Sequence, residues 1–254
     1  MNTPLISAAI MARNEERNIE KAISTLGFAN QIIVADTGSH DNTMAIAAKC
    51  GAEVYSIEFD GFGTSKNRAI SFARNEWIFC MDADERVSPE LAQSILSSVQ
   101  NNSEYDGFSI CRLSYFLGKP IRHSGWYPEY ILRLFKNGKG KFSQNLVHES
   151  VELDGKQARL SGLLHHYSYR DLESYLERLN VYSSLNAEQI YAAAKRFHIS
   201  DLILRPPAVF CKMYLLKAGF LDGYHGFLLA ALSSFHVYMK YAKLRELCKK
   251  EKGT

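Results

Sequence analysis

No part of the 254-residue chain approaches the roughly 18 uninterrupted apolar residues that a bilayer-spanning helix needs, so no membrane span is expected. The start, Met1-Asn2-Thr3-Pro4, has no basic segment and leads into no long apolar run, which argues against a secretory leader. Cysteine is sparse and odd in number. Cys50, Cys80, Cys111, Cys211 and Cys248 are widely spaced and mostly set among apolar residues, so neither a disulfide framework nor a zinc motif is indicated and a reducing cytoplasm fits best. The first apolar run is not followed by Gly-x-Gly-x-x-Gly, so dinucleotide binding is disfavoured. A formal charge of +3 gives no case for a nucleic-acid partner, and no internal repeat is evident.

With 46% hydrophobic and 22% charged residues, the chain is an ordinary globular one, able to form one large domain or a domain with an appendage. Its charge is unevenly placed. Residues 205–254 hold nine Lys/Arg against three Asp/Glu, about +6, which leaves about −3 for residues 1–204.

The most informative stretch is Trp77-Ile78-Phe79-Cys80-Met81-Asp82-Ala83-Asp84-Glu85-Arg86. A short apolar run rich in β formers reads as a strand buried on both faces, and it runs straight into acids. In an open α/β sheet the carboxyl edge of the strands is where ligands bind, and oxygen donors there suit a hard divalent cation and its phosphates. Alternation along the strand lets Asp82 and Asp84 face one way. The bland alternative is a loop that only caps the next helix, with Ser88 as N-cap and Pro89 in the first turn.

Three similar units precede it. Leu5 to Met11 is β-like and is followed by Asn14-Glu15-Glu16 and a helix carrying Ile19, Ala22, Ile23 and Leu26 on one face; Gln31 to Ala35 ends on Asp36 and resumes as a helix through Lys49. Glu53 to Ile57 is followed by Asp60 and a helix bearing Lys66. Four strand–helix pairs predict right-handed crossovers and a parallel, Rossmann-like sheet. Acids beyond all four strands repel one another unless a cation or hydrogen-bond donors sit among them, which implies a polar ligand and a metal.

After a helix over about 89–99 the pattern changes to short strands and hairpins across 106–150, so the sheet is expected to become mixed. A long helix is expected from Asp171 to about Arg196, with Leu172, Tyr175, Leu176, Leu179 and Tyr182 as its apolar stripe. Arg205-Pro206-Pro207 reads as a break, followed by two apolar segments with basic and aromatic flanks. These suit a membrane interface rich in anionic lipid, or packing on the rest of the chain or on a second copy in a homo-oligomer.

The segments Ala12-Arg13-Asn14-Glu15-Glu16, Asp36-Thr37-Gly38-Ser39-His40-Asp41-Asn42-Thr43 and Asp82-Ala83-Asp84-Glu85 resemble family-2 inverting glycosyltransferases of the GT-A fold, over roughly the first 150 residues. Gly61-Phe62-Gly63-Thr64-Ser65-Lys66-Asn67-Arg68-Ala69, Leu146-Val147-His148-Glu149, His165-His166-Tyr167-Ser168 and Phe220-Leu221-Asp222-Gly223 are similar to the bacterial lipopolysaccharide core β-glucosyltransferases. The resemblance implies an α/β GT-A mixed sheet flanked by helices over residues 1–170, with a helical C-terminal appendage over 171–254. It implies a UDP-sugar donor, UDP-glucose in the first instance, a lipopolysaccharide inner-core heptose or other glycolipid acceptor, and a location on the cytoplasmic face of the inner membrane.

By the same resemblance Asn14, Glu15, Asp36, Asp60, Lys66 and Asp82 would lie on the donor side, and Asp84 would hold Mg2+ or Mn2+. An inverting transfer needs one general base opposite the leaving group, and Glu149 is the candidate, with Glu85 behind it. His148, His165 or its neighbour His166, Trp126 and Tyr127 are expected on the acceptor or diphosphate side. Plain structural roles stand beside these: an exposed strand acid for Glu149, a solvated helix lysine for Lys66, a core aromatic for Trp126. A nucleotidyltransferase is disfavoured because Arg13-Asn14-Glu15-Glu16 stands where a basic glycine loop belongs; a non-catalytic nucleotide-sugar binder is the third reading.

Overall fold

A computed structural model of the chain describes residues 5–101, 104–143, 150–194 and 197–250. The first part alternates strand and helix: β1 (Ile6–Ala12), α1 (Ile19–Ile23), β2 (Gln31–Asp36), α2 (Thr43–Lys49), β3 (Glu53–Ser56), α3 (Phe62–Ser71) and β4 (Trp77–Asp82). β1 pairs in parallel with β2 and β4, and β2 with β3, as the four repeated units predict. Then come β5 (Glu85–Val87), α4 (Pro89–Asn101), β6 (Gly107–Phe116), β7 (Lys119–Pro120), β8 (Glu129–Lys136), β9 (Gly140–Phe142), β10 (Val151–Leu153) and β11 (Gln157–Tyr169). The sheet order is β3-β2-β1-β4-β8-β6-β11-β5, with β7 on β6 and a separate β9–β10 ribbon. Because β8 runs antiparallel to both β4 and β6, the sheet is mixed, as expected.

β4 is buried on both faces for the reason its composition suggests. Trp77, Phe79 and Met81 join the cluster that includes Ile19, Leu91 and Ile95, while Ile78 and Cys80 pack on the opposite side with Ala69, Phe135 and Phe142. That two-residue period puts Asp82 on the face covered by α3. Ser88 accepts the N–H of Leu91 and begins α4 as an N-cap.

The chain divides into two compact units, Met1–Arg112 with Glu129–His166, and Leu113–Pro128 with Tyr167–Thr254. The second therefore takes in residues 113–128, which a linear division at residue 170 leaves with the first. Its helices are α5 (Leu172–Ala192), α6 (Ile199–Cys211) and α7 (Tyr224–Lys250), and Phe116, Ile121, Tyr175, Leu179 and Leu229 share one buried cluster.

Two local expectations are corrected, and one strand goes beyond them. α5 buries Tyr175, Leu179, Ser183 and Ala187, one i, i+4 ridge, while Leu172 and Leu176 are exposed. Pro206 and Pro207 lie inside α6 and do not end it. The carbonyls they deprive of donors belong to Leu202 and to the exposed Ile203, where water can serve them. β11, 13 residues long, was not anticipated, because so few of its residues are buried that it shows no clean alternation.

Gly226, in α7, faces Gly219 so closely that a Cβ would stand 1.9 Å from the Gly219 carbonyl oxygen. Backbone cannot yield as a side chain does, so Gly226→Ala is expected to cost at least about 1–3 kcal/mol. The check is a melting temperature lowered by several degrees.

Candidate functional site

The loops after β1 and β2 are stitched together before any ligand arrives. Asn14 N–H donates to Ser39 Oγ, His40 N–H to Asn14 Oδ1, Glu15 N–H to Thr43 Oγ1, and Glu16 N–H to Asp41 Oδ2. Asn14 itself sits at φ +56°, a left-handed conformation that asparagine tolerates better than most residues. Asp36 is 1% exposed, and its carboxylate accepts the N–H groups of Gly38 and Ser39 and the Ser39 hydroxyl. It fixes the turn of its own loop.

Registry on β1 brings the second acid to the same edge. Ala12 lies opposite Asp36 and Met11 opposite Asp82, so the two backbones are separated by one intervening strand, about 10 Å. Lys66 is buried on α3, not solvated, and its Nζ is 2.8 Å from Asp82 Oδ1. The other oxygen, Oδ2, takes Arg133 Nη2 at 2.9 Å. Arg133 is two residues from Phe135 on β8 and so shares its face of the sheet. Burial alone would raise the Asp82 pKa; Lys66 and then Arg133 outweigh it and hold the carboxyl well below the usual carboxylate range.

Glu85, fully buried, closes the turn. Its Oε2 accepts the Asp82 N–H at 2.9 Å, and its Oε1 lies 3.3 Å from Arg133 Nη2 and 3.4 Å from Arg112 Nη1. Arg112 in turn donates from Nε to Glu129. Glu85 is thus committed to the frame of the turn. Arg133 Nε is buried without a partner among the described residues, beside a small cavity lined by Met11, Lys66, Cys80 and Phe142. Cys80 offers no nucleophile there, since burial pushes its thiol up to about 12.

Asp82 and Asp84 do not share a strand face. β4 ends at Asp82, and Ala83-Asp84 form a turn, so the expected alternation stops one residue short. Asp84 Oδ2 instead lies 3.4 Å from His166 Nε2. Burial opposes the charged imidazole, but the bond to Asp84 and the nearby carboxylates prevail, and the His166 pKa is raised. Register with β5 makes this choice: His166 stands opposite Glu85, whereas His165 stands opposite Arg86 and hence on the other face. The histidine brought to Asp84 is His166, not His165.

Asp60 lies apart from this cluster, exposed after β3, with Arg68 Nη2 2.7 Å from its Oδ2. Trp126, half-buried, packs against Phe116 and Tyr169 in the second unit. Tyr127 lies beneath the Arg122 guanidinium, 5.7 Å from ring centroid to Cζ. Glu149 and His148 fall outside the described residues.

One carboxylate and one imidazole within 3.4 Å of each other are a donor set that fits a divalent cation with open positions. No group of three His, Cys, Asp or Glu side chains able to hold a metal converges among the described residues. Among the described residues, Asp84 and His166 are the two donors brought together there. Arg133 and Arg112 are the additions that the structure makes to the residues flagged in the sequence. Glu85 and His166 are already candidates in the sequence, whereas the two arginines carry no local signal.

The model of the family described as Glycosyl transferase family 2 matches residues 7–150. An uncharacterized glycosyltransferase of Rickettsia typhi (strain ATCC VR-144 / Wilmington) is 29% identical over 260 residues, 98% of this chain and 89% of the relative. The lipopolysaccharide core biosynthesis glycosyltransferase LpsC of Rhizobium meliloti (strain 1021) is 29% identical over 254 residues, 94% of this chain and 91% of the relative. Among solved structures, glucosyl-3-phosphoglycerate synthase from Mycobacterium tuberculosis, in complex with Mn2+, uridine diphosphate and glucosyl-3-phosphoglycerate, is 23% identical with a TM-score of 0.37. That match covers 45% of each chain, less than half of either.

Proposed function

This chain belongs to glycosyl transferase family 2, and from that membership we propose an inverting, metal-dependent transfer of glucose from UDP-glucose to a lipopolysaccharide inner-core heptose or a similar lipid-linked glycan. The observation that supports it most is the turn after β4. There Asp82 is locked between Lys66 and Arg133, and Asp84 and His166 are held side by side at the carboxyl edge of a parallel sheet. The naming of the Rhizobium relative supports the glycolipid acceptor.

In this reading the chain's own residues divide the work. Asp84 and His166 would hold Mg2+ or Mn2+, which when bound supplies positive charge to the diphosphate as the bond to the anomeric carbon breaks. Lys66 and Arg133 keep Asp82 ionised and fixed, so that its remaining lone pairs present a rigid acceptor to the nucleotide sugar. The stitched loops bearing Asn14, Glu15 and Asp36 frame the uridine and ribose side. Because they are already ordered, less entropy is lost when the donor binds. Glu149 takes the proton of the acceptor hydroxyl as it attacks the face opposite the leaving diphosphate.

The test is incubation with a panel of nucleotide sugars, Mn2+ and lipopolysaccharide core acceptors, read by mass spectrometry, together with Glu149→Gln. The substitution is expected to lower kcat by about 10²–10⁴ while calorimetric binding of the nucleotide sugar is kept. Binding without turnover in the unaltered protein would favour a non-catalytic role. Pyrophosphate release from UTP and a sugar phosphate would favour a nucleotidyltransferase.

A further inference from the structure

In the second unit, α6 runs into a π-helical turn, Lys212–Leu216, and α7 begins after a 3-10 turn, Gly219–Asp222. Ala218, between them, takes φ +51°, which reverses the chain sharply. The resulting tip carries large apolar side chains in water: Leu216 is 81% exposed, Tyr224 66%, Leu221 61%, and Leu215 and Phe220 about half. Isolated exposed leucines need no explanation, but five large apolar residues within ten positions do.

Charge on the same stretch is one-sided. Between Leu202 and Arg245 the chain has a single carboxylate, Asp222, and it is 4% exposed. Its oxygens accept the backbone N–H groups of Arg122 and His123, and Oδ1 lies 3.1 Å from His123 Nδ1. The one acid of the tip is therefore turned inward to hold the segment after β7. Lys212 and Lys217 are exposed beside the apolar residues, and Lys119 Nζ reaches the Asp222 carbonyl at 3.1 Å.

We propose that this tip, residues 212–224, is a docking surface for an anionic lipid bilayer. Leucine and aromatic side chains would enter the headgroup boundary while the lysines meet lipid phosphates. No helix among the described residues is long and apolar enough to cross a membrane, so the tip lies in the interface plane. A symmetric contact with the same tip of a second copy fits worse, because it brings the same lysines to the contact and only the buried Asp222 to meet them. Docking of this kind does not depend on which sugar is moved, or on transfer at all.

The experiment is flotation of the full chain with phosphatidylcholine vesicles, with and without phosphatidylglycerol, in the absence of any nucleotide sugar. The unaltered protein is expected to float with the anionic vesicles, less so as salt is raised, and to stay behind with the neutral ones. Leu216→Asp with Leu221→Asp, and separately Lys212→Glu with Lys217→Glu, are each expected to weaken partitioning by at least about tenfold. All four side chains are exposed, so melting temperatures serve as the control for folding. Failure of the unaltered protein to float with anionic vesicles overturns the proposal, as does equal flotation of folded variants. So does sedimentation showing a dimer that Leu216→Asp with Leu221→Asp dissociates, without vesicle binding. Since no donor is present, none of these outcomes bears on the transfer reaction.

Discussion

Asp84→Ala is expected to abolish sugar transfer and leave the protein folded. Asp84 sits in a turn, not within a strand, and its carboxylate faces His166 at 3.4 Å, so its loss removes a ligand-side group without opening the apolar core. Positive charge on a departing diphosphate contributes several kcal/mol, and about 4 kcal/mol corresponds to a loss of about 10³ in rate. The measurement is an initial rate with UDP-glucose and Mn2+, beside a circular-dichroism melt. EDTA should reproduce the loss in the unaltered enzyme. Full activity surviving both the substitution and the chelator would remove the metal from the mechanism.

A second large effect falls on stability. Glu85→Ala deletes a carboxylate that is fully buried, accepts the Asp82 N–H and lies against both Arg133 and Arg112. Truncating one partner of a buried ion pair leaves an uncompensated charge, at a cost of about 3–5 kcal/mol. For a chain of this size each kcal/mol lowers the melting temperature by about 2–4 °C, so a fall of about 6–20 °C is expected. Glu85→Gln should do less harm, since an amide oxygen can still accept the Asp82 N–H. By contrast Glu104→Ala, which removes only the exposed pair with Lys156, should leave the melt unchanged. An unaltered midpoint for Glu85→Ala would contradict the burial on which the site's rigidity rests.

The parallel half was legible because its signals are local. Apolar runs such as Ile78 to Met81 announce strands, and each acid followed its strand within a few residues, so Asp36 and Asp82 could be placed on one edge from order alone. What pairs with those acids was not legible. Arg133 and Arg112 come from β8 and β6, 51 and 27 positions away from Asp82 and Glu85 respectively, and a strand arginine looks the same in sequence whether it points to solvent or to a buried carboxylate. His165 and His166 are adjacent, and only the pairing of β11 with β5 decides which one shares a face with Glu85. The turn at Ala83-Asp84 likewise depends on the Glu85 side chain returning to the Asp82 N–H, a contact without a compositional signature. Pro206-Pro207 misled for a related reason, since two prolines argue for a break but carbonyls open to water let α6 continue through them.

The clustering of Phe116 and Ile121 with Tyr175, Leu179 and Leu229 has a bearing on synthesis. Phe116 leaves the ribosome more than one hundred residues before Leu229. At about 5–20 residues per second, its ring then waits roughly 6–23 s for the last of its neighbours to be translated. Throughout that interval the Phe116 side chain has only the earlier members of its cluster, Ile121, Tyr175 and Leu179, to cover it, so this part of the second unit completes its packing late in synthesis.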